Sequence, residues 1–283
     1  AHYNRLATST ERLSTGLRVN SAADDAAGLA IRELQRADIA TLHQGARNAN
    51  DAISLIQTAD GALGVVDEKL TRMKELAEQA ATGTYDSTQR LMIESEYQAM
   101  ASEITRIANA TDFNGIKLLD GNLSSSVHDG SGMTSTGKLK VHFGTGNDSA
   151  EDYYYITIGN CTASALGVGN QAIDAATGKL RNGGTISTQE AAQKTLVALT
   201  DAIVSKDKIR AHLGAMQNRL ENTITNLNTQ AENLQAAESR ISDVDVATEM
   251  TQFVRNQILS QGAVAMLSQA NSLPKMAMQL IGG

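Results

Sequence analysis

Residues 46–81 read ARNANDAISLIQTADGALGVVDEKLTRMKELAEQAA, and apolar side chains recur in this stretch every three or four positions. That spacing places them on one face of an α-helix, and from Ile56 onwards it forms a heptad seam. The stripe ends at Gly83. The stretch therefore predicts a long helix that packs along its length against other helices. The seam consists of Ala46, Ala49, Ile53, Ile56, Ala59, Leu63, Val66, Leu70, Met73, Ala77 and Ala80.

A second helix is predicted to begin directly after this one, at Asp86 or Ser87. Asp86 and Gln89 have the spacing of a capping box, in which each side chain accepts a hydrogen bond from a free amide of the first turn. The helical pattern continues to about Ala110, and the sequence Phe-Asn-Gly-Ile at 113–116 predicts a tight turn after it.

A third long helix is predicted in the C-terminal part of the chain. Ser187 and Glu190 resemble a second capping box, and no proline follows before residue 261. The apolar residues of the seam are spaced by four on both sides of Leu220. Such an insertion locally unwinds a coiled coil without ending the helix. A helix from Ser187 to near Ile241 would be roughly 80 Å long. Its seam is Leu199, Ile203, Ile209, Leu213, Met216, Leu220, Ile224, Leu227, Ala231 and Leu234.

Residues 120–186 differ from the helical zones on either side, because they hold 12 of the 23 glycines. Alternating apolar residues at 139–143 predict a half-buried strand, and 153–158 is β-branched and aromatic. A β-hairpin with a long loop over 144–152 is therefore expected. The predicted fold is mainly α, an elongated helical bundle or coiled-coil rod with this small β-hairpin region.

Residues 247–280 form another amphipathic stretch, with Met250, Phe253, Val254 and Ile258 on one face. The sequence shows no evident partner for this face inside the chain. A helix with an unburied apolar stripe needs a partner, so the stretch predicts that the protein is an assembly subunit.

Composition and motifs argue against several classes of protein. The net charge is −7 without a basic block, which speaks against nucleic-acid binding. One cysteine, Cys161, allows no intrachain disulfide, and no two histidines have helical metal-ligand spacing. Nucleophile-elbow, phosphate-loop and dinucleotide motifs are missing, so neither an enzyme nor a cofactor is expected. The longest uncharged run, 256–274, is too rich in Gln, Asn and Ser to predict a membrane span.

Several strings resemble bacterial flagellins. In the N-terminal half these are TERLSTGLRVNSAADDAAGLAI at 10–31, RNANDAISLIQ at 47–57 and the turn at 113–115. In the C-terminal half they are LGAMQNRL at 213–220, QILSQ at 257–261 and LSQAN at 267–271. The resemblance covers both helical zones and implies a structural subunit that polymerises into the flagellar filament for swimming.

The resemblance also implies an organisation, a location and partners. Residues 1–45 would be the N-terminal linker and the start of the rod domain, 46–245 the helical rod with its β region, and 246–283 the C-terminal filament-core helix. The subunit would be secreted through the flagellar export channel and lie outside the cell. Its partners would be further copies of itself, filament cap and junction proteins, and an export chaperone at the C-terminal helix.

Two departures and two alternatives accompany this resemblance. Most of the family's N-terminal arm is absent before the string at 10–31, and no large outer domain separates the helical zones, so the chain resembles a minimal flagellin. The closest alternative is a hook–filament junction protein of the same family. A chemoreceptor-type signalling coiled coil is disfavoured by the glycine-rich zone at 120–186.

The family assigns roles to particular positions. Subunit packing is expected at Leu213, Gln217, Asn218, Arg219, Leu220, Met250, Val254 and Ile258. Many flagellins are recognised as monomers by the innate immune Toll-like receptor 5, and the matching positions here are Arg72, Leu76, Gln79 and Glu96. Because Arg72 and Leu76 are four residues apart, they share a helix face, and an exposed flank of the seam is expected there. The alternative interpretation is a solvated or filament-packing face.

Overall fold

The computed structural model describes residues 2–124, 128–129, 136–149, 151–170 and 183–281. The described residues are mainly helical, as predicted. The helices are α1 (His2–Thr15), α2 (Ala26–Ala81), α3 (Ser87–Ala110), α4 (Ala163–Leu166), α5 (Gln189–Ser242) and α6 (Val246–Ile281). The strands are β1 (Asp112–Phe113), β2 (Ile116–Lys117), β3 (His128–Asp129), β4 (Thr136–Gly137), β5 (Leu139–His142) and β6 (Tyr153–Ile156).

The chain divides into two compact units. One consists of residues 1–40 and 229–283, and the other of residues 41–228. The three-part division at residues 45 and 245 stays a prediction.

The core of the unit 41–228 is built on the predicted seams. Apolar residues of α2, α3, α4 and α5 bury one another in one cluster, which runs from Val66 to Ala80 on α2 and from Ala192 to Ala202 on α5. Further along α5, Leu213, Met216, Leu220 and Leu227 are buried as well. Both heptad seams are therefore confirmed as buried faces, and α5 passes Leu220 without a break.

The local signals around α3 are confirmed. The Asp86 carboxylate accepts from the backbone N–H of Gln89 at 2.7 Å, and the Gln89 side chain accepts from the backbone N–H of Asp86 at 3.1 Å. After the helix, β1 and β2 pair antiparallel around Asn114 and Gly115, both with positive φ. Asn and Gly are the residues that tolerate this backbone conformation in a two-residue hairpin turn.

The predicted hairpin is also present, as the antiparallel pair β5 and β6 with Leu139 opposite Ile156. Its inner face carries the buried side chains of Val141, Phe143 and Ile156. Gly45 of α2 lies against the backbone of Phe143, where a Cβ would have no room. The hairpin is thereby seated directly on α2.

The predicted N-cap of α5 is one residue off. The Thr188 hydroxyl, not that of Ser187, accepts from the backbone N–H of Ala191 at 3.2 Å, and α5 begins at Gln189. Ser187 Oγ instead accepts from the Thr185 hydroxyl at 3.0 Å. The two hydroxyl residues are adjacent, so the spacing to Glu190 selected the wrong one.

In the unit formed by 1–40 and 229–283, α1 packs against α6. The first half of the stretch 247–280 therefore has a helical partner within the chain, although Met250, Val254 and Ile258 of the predicted apolar face remain exposed. The segments that join the helices are tied together by backbone hydrogen bonds, from Arg18 N to Ser242 O at 2.7 Å and from Val244 N to Gly16 O at 3.0 Å. Among the described helices, none is long and apolar enough to cross a membrane.

Candidate interaction surfaces

Two surfaces carry the residues that the sequence singled out. We name them the α2–α3 patch, formed by Arg72, Gln79 and Glu96, and the α6 stripe, formed by Met250, Val254 and Ile258 together with Val264, which the structure adds. Over the described part of the chain, no group of three or more His, Cys, Asp or Glu side chains is arranged to hold a metal ion.

The α2–α3 patch is organised around one arginine. Nη2 and Nε of Arg72 both donate to Oε1 of Glu96, at 2.8 and 3.0 Å, so the guanidinium joins α2 to α3. Its Nη1 donates to Glu75 at 3.0 Å. The hydrogen bonds that Arg72 donates to Glu96 and Glu75 raise the pKa of Arg72 above its ordinary value. Both partners of the α2–α3 pair remain about half exposed, so the pair lies at the surface, as its spacing predicts.

Leu76 does not belong to this surface. Its side chain is 1 % exposed and lies in the core cluster beside Met73 and Ala77. The expected exposure of Leu76 is therefore wrong. At this level the buried face of α2 is wider than the single row of seam residues and includes Leu76. Gln79 is at the surface, where its side-chain amide donates to the Tyr85 hydroxyl at 3.0 Å.

Apolar surface near the patch comes from α3 instead. Met92 lies one helical turn before Glu96 and is 70 % exposed, and its neighbour Leu91 is exposed too. Arg90 links the N-terminal end of α3 to the end of α2. Its guanidinium donates hydrogen bonds to the backbone oxygens of Ala80 and Thr82, both at 3.0 Å. Met92 was not among the predicted site residues, although an apolar residue four positions from Glu96 was a visible signal.

The packing residues expected on α5 divide into two groups. Leu213 and Leu220 are fully buried within their own unit, which corrects the expectation that they form a contact between subunits. They are seam residues, and the seam is covered by the chain's own helices. Gln217, Asn218 and Arg219 lie nearer the surface. Arg219 stacks its guanidinium over the ring of Tyr154 at 3.6 Å, and Gln217 donates to Glu221 at 3.0 Å.

A buried charge that the sequence analysis missed interrupts the α5 seam. Lys206 is 1 % exposed, and its ammonium bonds to Asp67 of α2 and to Asp207, the latter at 2.8 Å. Nearby, Arg210 Nε donates to Asp60 of α2 at 2.7 Å. The six-residue gap between Ile203 and Ile209 in the predicted seam was the available signal, because Lys206 fills the missing position.

The α6 stripe remains uncovered in the single chain. Its four side chains are all exposed, and Ile258 is 63 % exposed. At 100° per residue the stripe lies on a different side of α6 from Glu249 and Asn256, which face α1. The pairing of α1 with α6 therefore leaves the α6 stripe open to another molecule, and Leu259, Met266 and Leu267 on other sides of α6 are exposed as well.

The comparisons with known proteins give consistent results. The family described as the bacterial flagellin N-terminal helical region matches residues 2–124, and the bacterial flagellin C-terminal helical region matches residues 196–281. A flagellar filament 33 kDa core protein from Treponema phagedenis is 41% identical over 96% of this chain and 90% of its own length.

Flagellin of Bacillus subtilis strain 168 is 41% identical over 96% of this chain and 91% of its own length. Among solved structures, a flagellar hook-associated protein from Vibrio parahaemolyticus matches with a TM-score of 0.59 and 16% identity, and the match covers 78% of this chain and 100% of that one. At that identity the likeness concerns the fold alone.

Proposed function

Because the chain belongs to the bacterial flagellin family and is a subunit of the flagellar filament, we propose that it polymerises through the α6 stripe. The flagellum is an extracellular structure, and the family is one of structural proteins. We propose in addition that the chain has no enzymatic activity and that it reaches the outside through the flagellar export channel.

The observation that carries the assembly proposal is the open apolar face of α6. Burial of apolar side chains gains about 25 cal/mol per Å² of area removed from water, and α1 covers a different side of the helix. In a head-to-tail contact, a second copy covers this face of the first copy with a different surface. The α6 stripe of the second copy then remains free to bind a third copy. Contacts of that kind that do not close into a ring generate helical filaments.

The test is polymerisation of the full chain with the α6 stripe altered. Val254→Asp and Ile258→Asp should abolish filaments in electron micrographs, because each would bury an unpaired charge between copies. Arg255→Gln is the control, since it changes the net charge by the same amount at an exposed position of α6 that lies about 100° from Val254 and about 60° from Ile258. Normal filaments from Ile258→Asp would contradict the proposal.

We propose the remaining partners from the same face. Apolar surface that is exposed before assembly needs temporary cover, so an export chaperone would bind the α6 stripe inside the cell. Filament cap and junction proteins would meet it at the two ends of the filament. Size-exclusion chromatography of the chain with such a chaperone should show a complex that Ile258→Asp weakens and Arg255→Gln leaves unchanged.

The alternative of a hook–filament junction protein stays a prediction without support of its own, since the likeness to a hook-associated protein shows the fold alone. The polymerisation experiment separates the two, because a junction protein would not form long filaments by itself.

We also propose that the free subunit is recognised by Toll-like receptor 5 at the α2–α3 patch. The support is geometric: Arg72 and Glu96 lie on two helices and are joined in one exposed pair. An arginine at the centre of an interface costs about 2 kcal/mol or more on truncation, which is roughly thirtyfold in affinity. Arg72→Ala should therefore weaken binding to the receptor ectodomain, measured by surface plasmon resonance.

The matched control for this test is Arg106→Ala. Arg106 is exposed on α3 and pairs with Glu103, at 2.6 Å, in the same way that Arg72 pairs with Glu75. Its truncation should leave receptor binding unchanged. Equal affinities of the two variants would remove Arg72 from the recognition surface.

A further inference from the structure

The contact between α1 and α6 encloses a polar groove of about 290 Å³. We name it the α1–α6 groove. Every side chain that lines it is polar or charged, which is unusual because paired helices generally bury apolar faces against each other. The lining residues are Asn4, Arg5, Thr8, Ser9 and Arg12 of α1 and Glu249, Gln252 and Asn256 of α6.

The most buried of these side chains have no hydrogen-bond partner. Ser9 is 4 % exposed and Asn256 is 8 % exposed, and within the described ranges neither side chain makes a hydrogen bond. The Nε of Arg12 is also buried without a partner. Buried polar groups are satisfied in the large majority of cases, by protein or by something bound. The groove therefore holds one fully buried donor without a partner, Arg12 Nε, beside two nearly buried polar side chains that are free to bind an occupant.

The chemistry of the lining indicates an anion. Two guanidinium groups, Arg5 and Arg12, face one carboxylate, that of Glu249. Arg12 Nη1 lies 3.8 Å from Glu249 Oε2, which is too far for a hydrogen bond. The Glu249 carboxylate therefore does not satisfy the N–H donors of the Arg12 guanidinium. Guanidinium, amide and hydroxyl groups can all donate, and a small oxyanion has enough acceptor sites to take several donors at once.

We propose that the α1–α6 groove binds a small inorganic oxyanion, phosphate or sulfate, between Arg12 of α1 and Asn256 of α6. The groove is large enough, since a water molecule occupies roughly 30 Å³ of the liquid. A bound oxyanion joins the two helices and strengthens their pairing, because any ligand that binds only the paired state stabilises it. This site lies on a different side of α6 from the stripe and does not depend on how copies assemble.

The test is an NMR titration of the unpolymerised full chain with phosphate, sulfate and acetate at matched ionic strength. The guanidinium Nε resonance of Arg12 and the side-chain amide of Asn256 should shift saturably with phosphate and sulfate. The titration runs to about 50 mM, fifty times a dissociation constant of about 1 mM. No saturable shift overturns the proposal in favour of water alone, and saturation by acetate only overturns it in favour of a carboxylate.

Three variants decide whether the groove is responsible. Arg12→Gln should weaken phosphate binding at least tenfold, and Arg255→Gln, on an exposed side of α6, should change it less than twofold. Glu249→Gln should tighten binding roughly threefold to tenfold, because it removes a like charge beside the anion. Equal binding by Arg12→Gln and the original chain overturns the proposal. If circular dichroism shows that Arg12→Gln unfolds α1, the variant Glu249→Gln decides instead. Unchanged or weaker phosphate binding by Glu249→Gln then overturns the proposal.

Discussion

The ion pair between the buried Lys206 and the partly exposed Asp67 gives the sharpest test of the packing between α2 and α5. Lys206→Met removes the charge and shortens the side chain by one atom, and replacing a whole buried ion pair by apolar groups is often neutral or stabilising by about 1–4 kcal/mol. Asp67 and Asp207 are both exposed enough to be hydrated afterwards. We therefore expect Lys206→Met to change the free energy of unfolding by about 0–2 kcal/mol in the stabilising direction.

Asp67→Ala should do the opposite. It leaves the Lys206 ammonium, which is almost completely buried, with Asp207 as its remaining ion-pair partner. Removing one partner from a fully buried pair costs about 3–5 kcal/mol. Because one carboxylate remains here, we expect a loss of about 1–3 kcal/mol. The substitution of the more exposed partner is thus the more damaging one.

Urea unfolding of the unpolymerised chain, followed by circular dichroism, measures both effects as shifts of the midpoint at constant slope. Glu190→Ala is the control, since its ion pair with Lys194 is exposed on α5 and should contribute less than about 0.5 kcal/mol. The reasoning is refuted if Lys206→Met loses more stability than Asp67→Ala. It is refuted equally if Asp67→Ala cannot be distinguished from Glu190→Ala.

The pH dependence of the same pair has a definite sign. Burial lowers the pKa of Lys206, but its hydrogen bonds to Asp207 and Asp67 raise it more, so the pKa lies above its ordinary value. A raised pKa in the folded state stabilises the protein below the unfolded pKa of about 10.4, and this contribution is lost as the pH rises through the folded value. The difference in the free energy of unfolding between Lys206→Met and the original chain should therefore be constant below about pH 10.4 and should shift in favour of Lys206→Met above it.

Three further outcomes can be measured. Leu227→Asp, which places a charge at a buried seam position, should lower the free energy of unfolding by more than about 3 kcal/mol in urea. Gly45→Ala should cost about 1–3 kcal/mol because its Cβ would meet Phe143 O, while Gly61→Ala, with open space around it, should gain up to about 1 kcal/mol. Burial raises the pKa of the Cys161 thiol to about 11, so its alkylation at pH 8 should be slow and should accelerate with urea.

The elements that depend on neighbouring residues could be predicted from the sequence. The capping box at Asp86 and Gln89, the turn at 113–116 and the β5–β6 hairpin are all formed as expected. Each depends on contacts within a few residues, or on strict alternation, so the sequence contains the whole signal. The N-cap at Thr188 shows the limit, because two adjacent hydroxyl residues satisfy nearly the same pattern.

The spacing of apolar residues along a helix does not show which molecule covers its apolar face. Leu213 and Leu220 were expected between subunits and lie in the core of their own unit, whereas Ile258 has a similar pattern and is open. A helical period identifies an apolar face but says nothing about its partner, since burial against the same chain and against another gives the same gain. The pairing of α1 with α6 was missed for the same reason, because the pattern of one helix does not identify the helix that packs against it.

The clearest consequence of that limit concerns Leu76, which the family pattern places beside Arg72. Its side chain is buried among Met73 and Ala77, so Leu76→Ala should lower the free energy of unfolding by about 2–5 kcal/mol. Arg72→Ala removes exposed ion pairs, which are generally worth less than about 1 kcal/mol, and should leave stability nearly unchanged. Urea midpoints of the two variants measure this difference directly.

Receptor binding should separate the two residues in the opposite order. If Arg72 touches the receptor and Leu76 only supports α2 from below, Arg72→Ala weakens binding while the folded fraction of Leu76→Ala binds normally. The measurement is affinity for the receptor ectodomain at a temperature well below the unfolding transition of both variants. A stable Leu76→Ala that no longer binds would show that the receptor reaches Leu76, which the closed core does not permit. In that case α2 and α3 would have to separate on binding, and the Arg72–Glu96 pair would be broken rather than recognised.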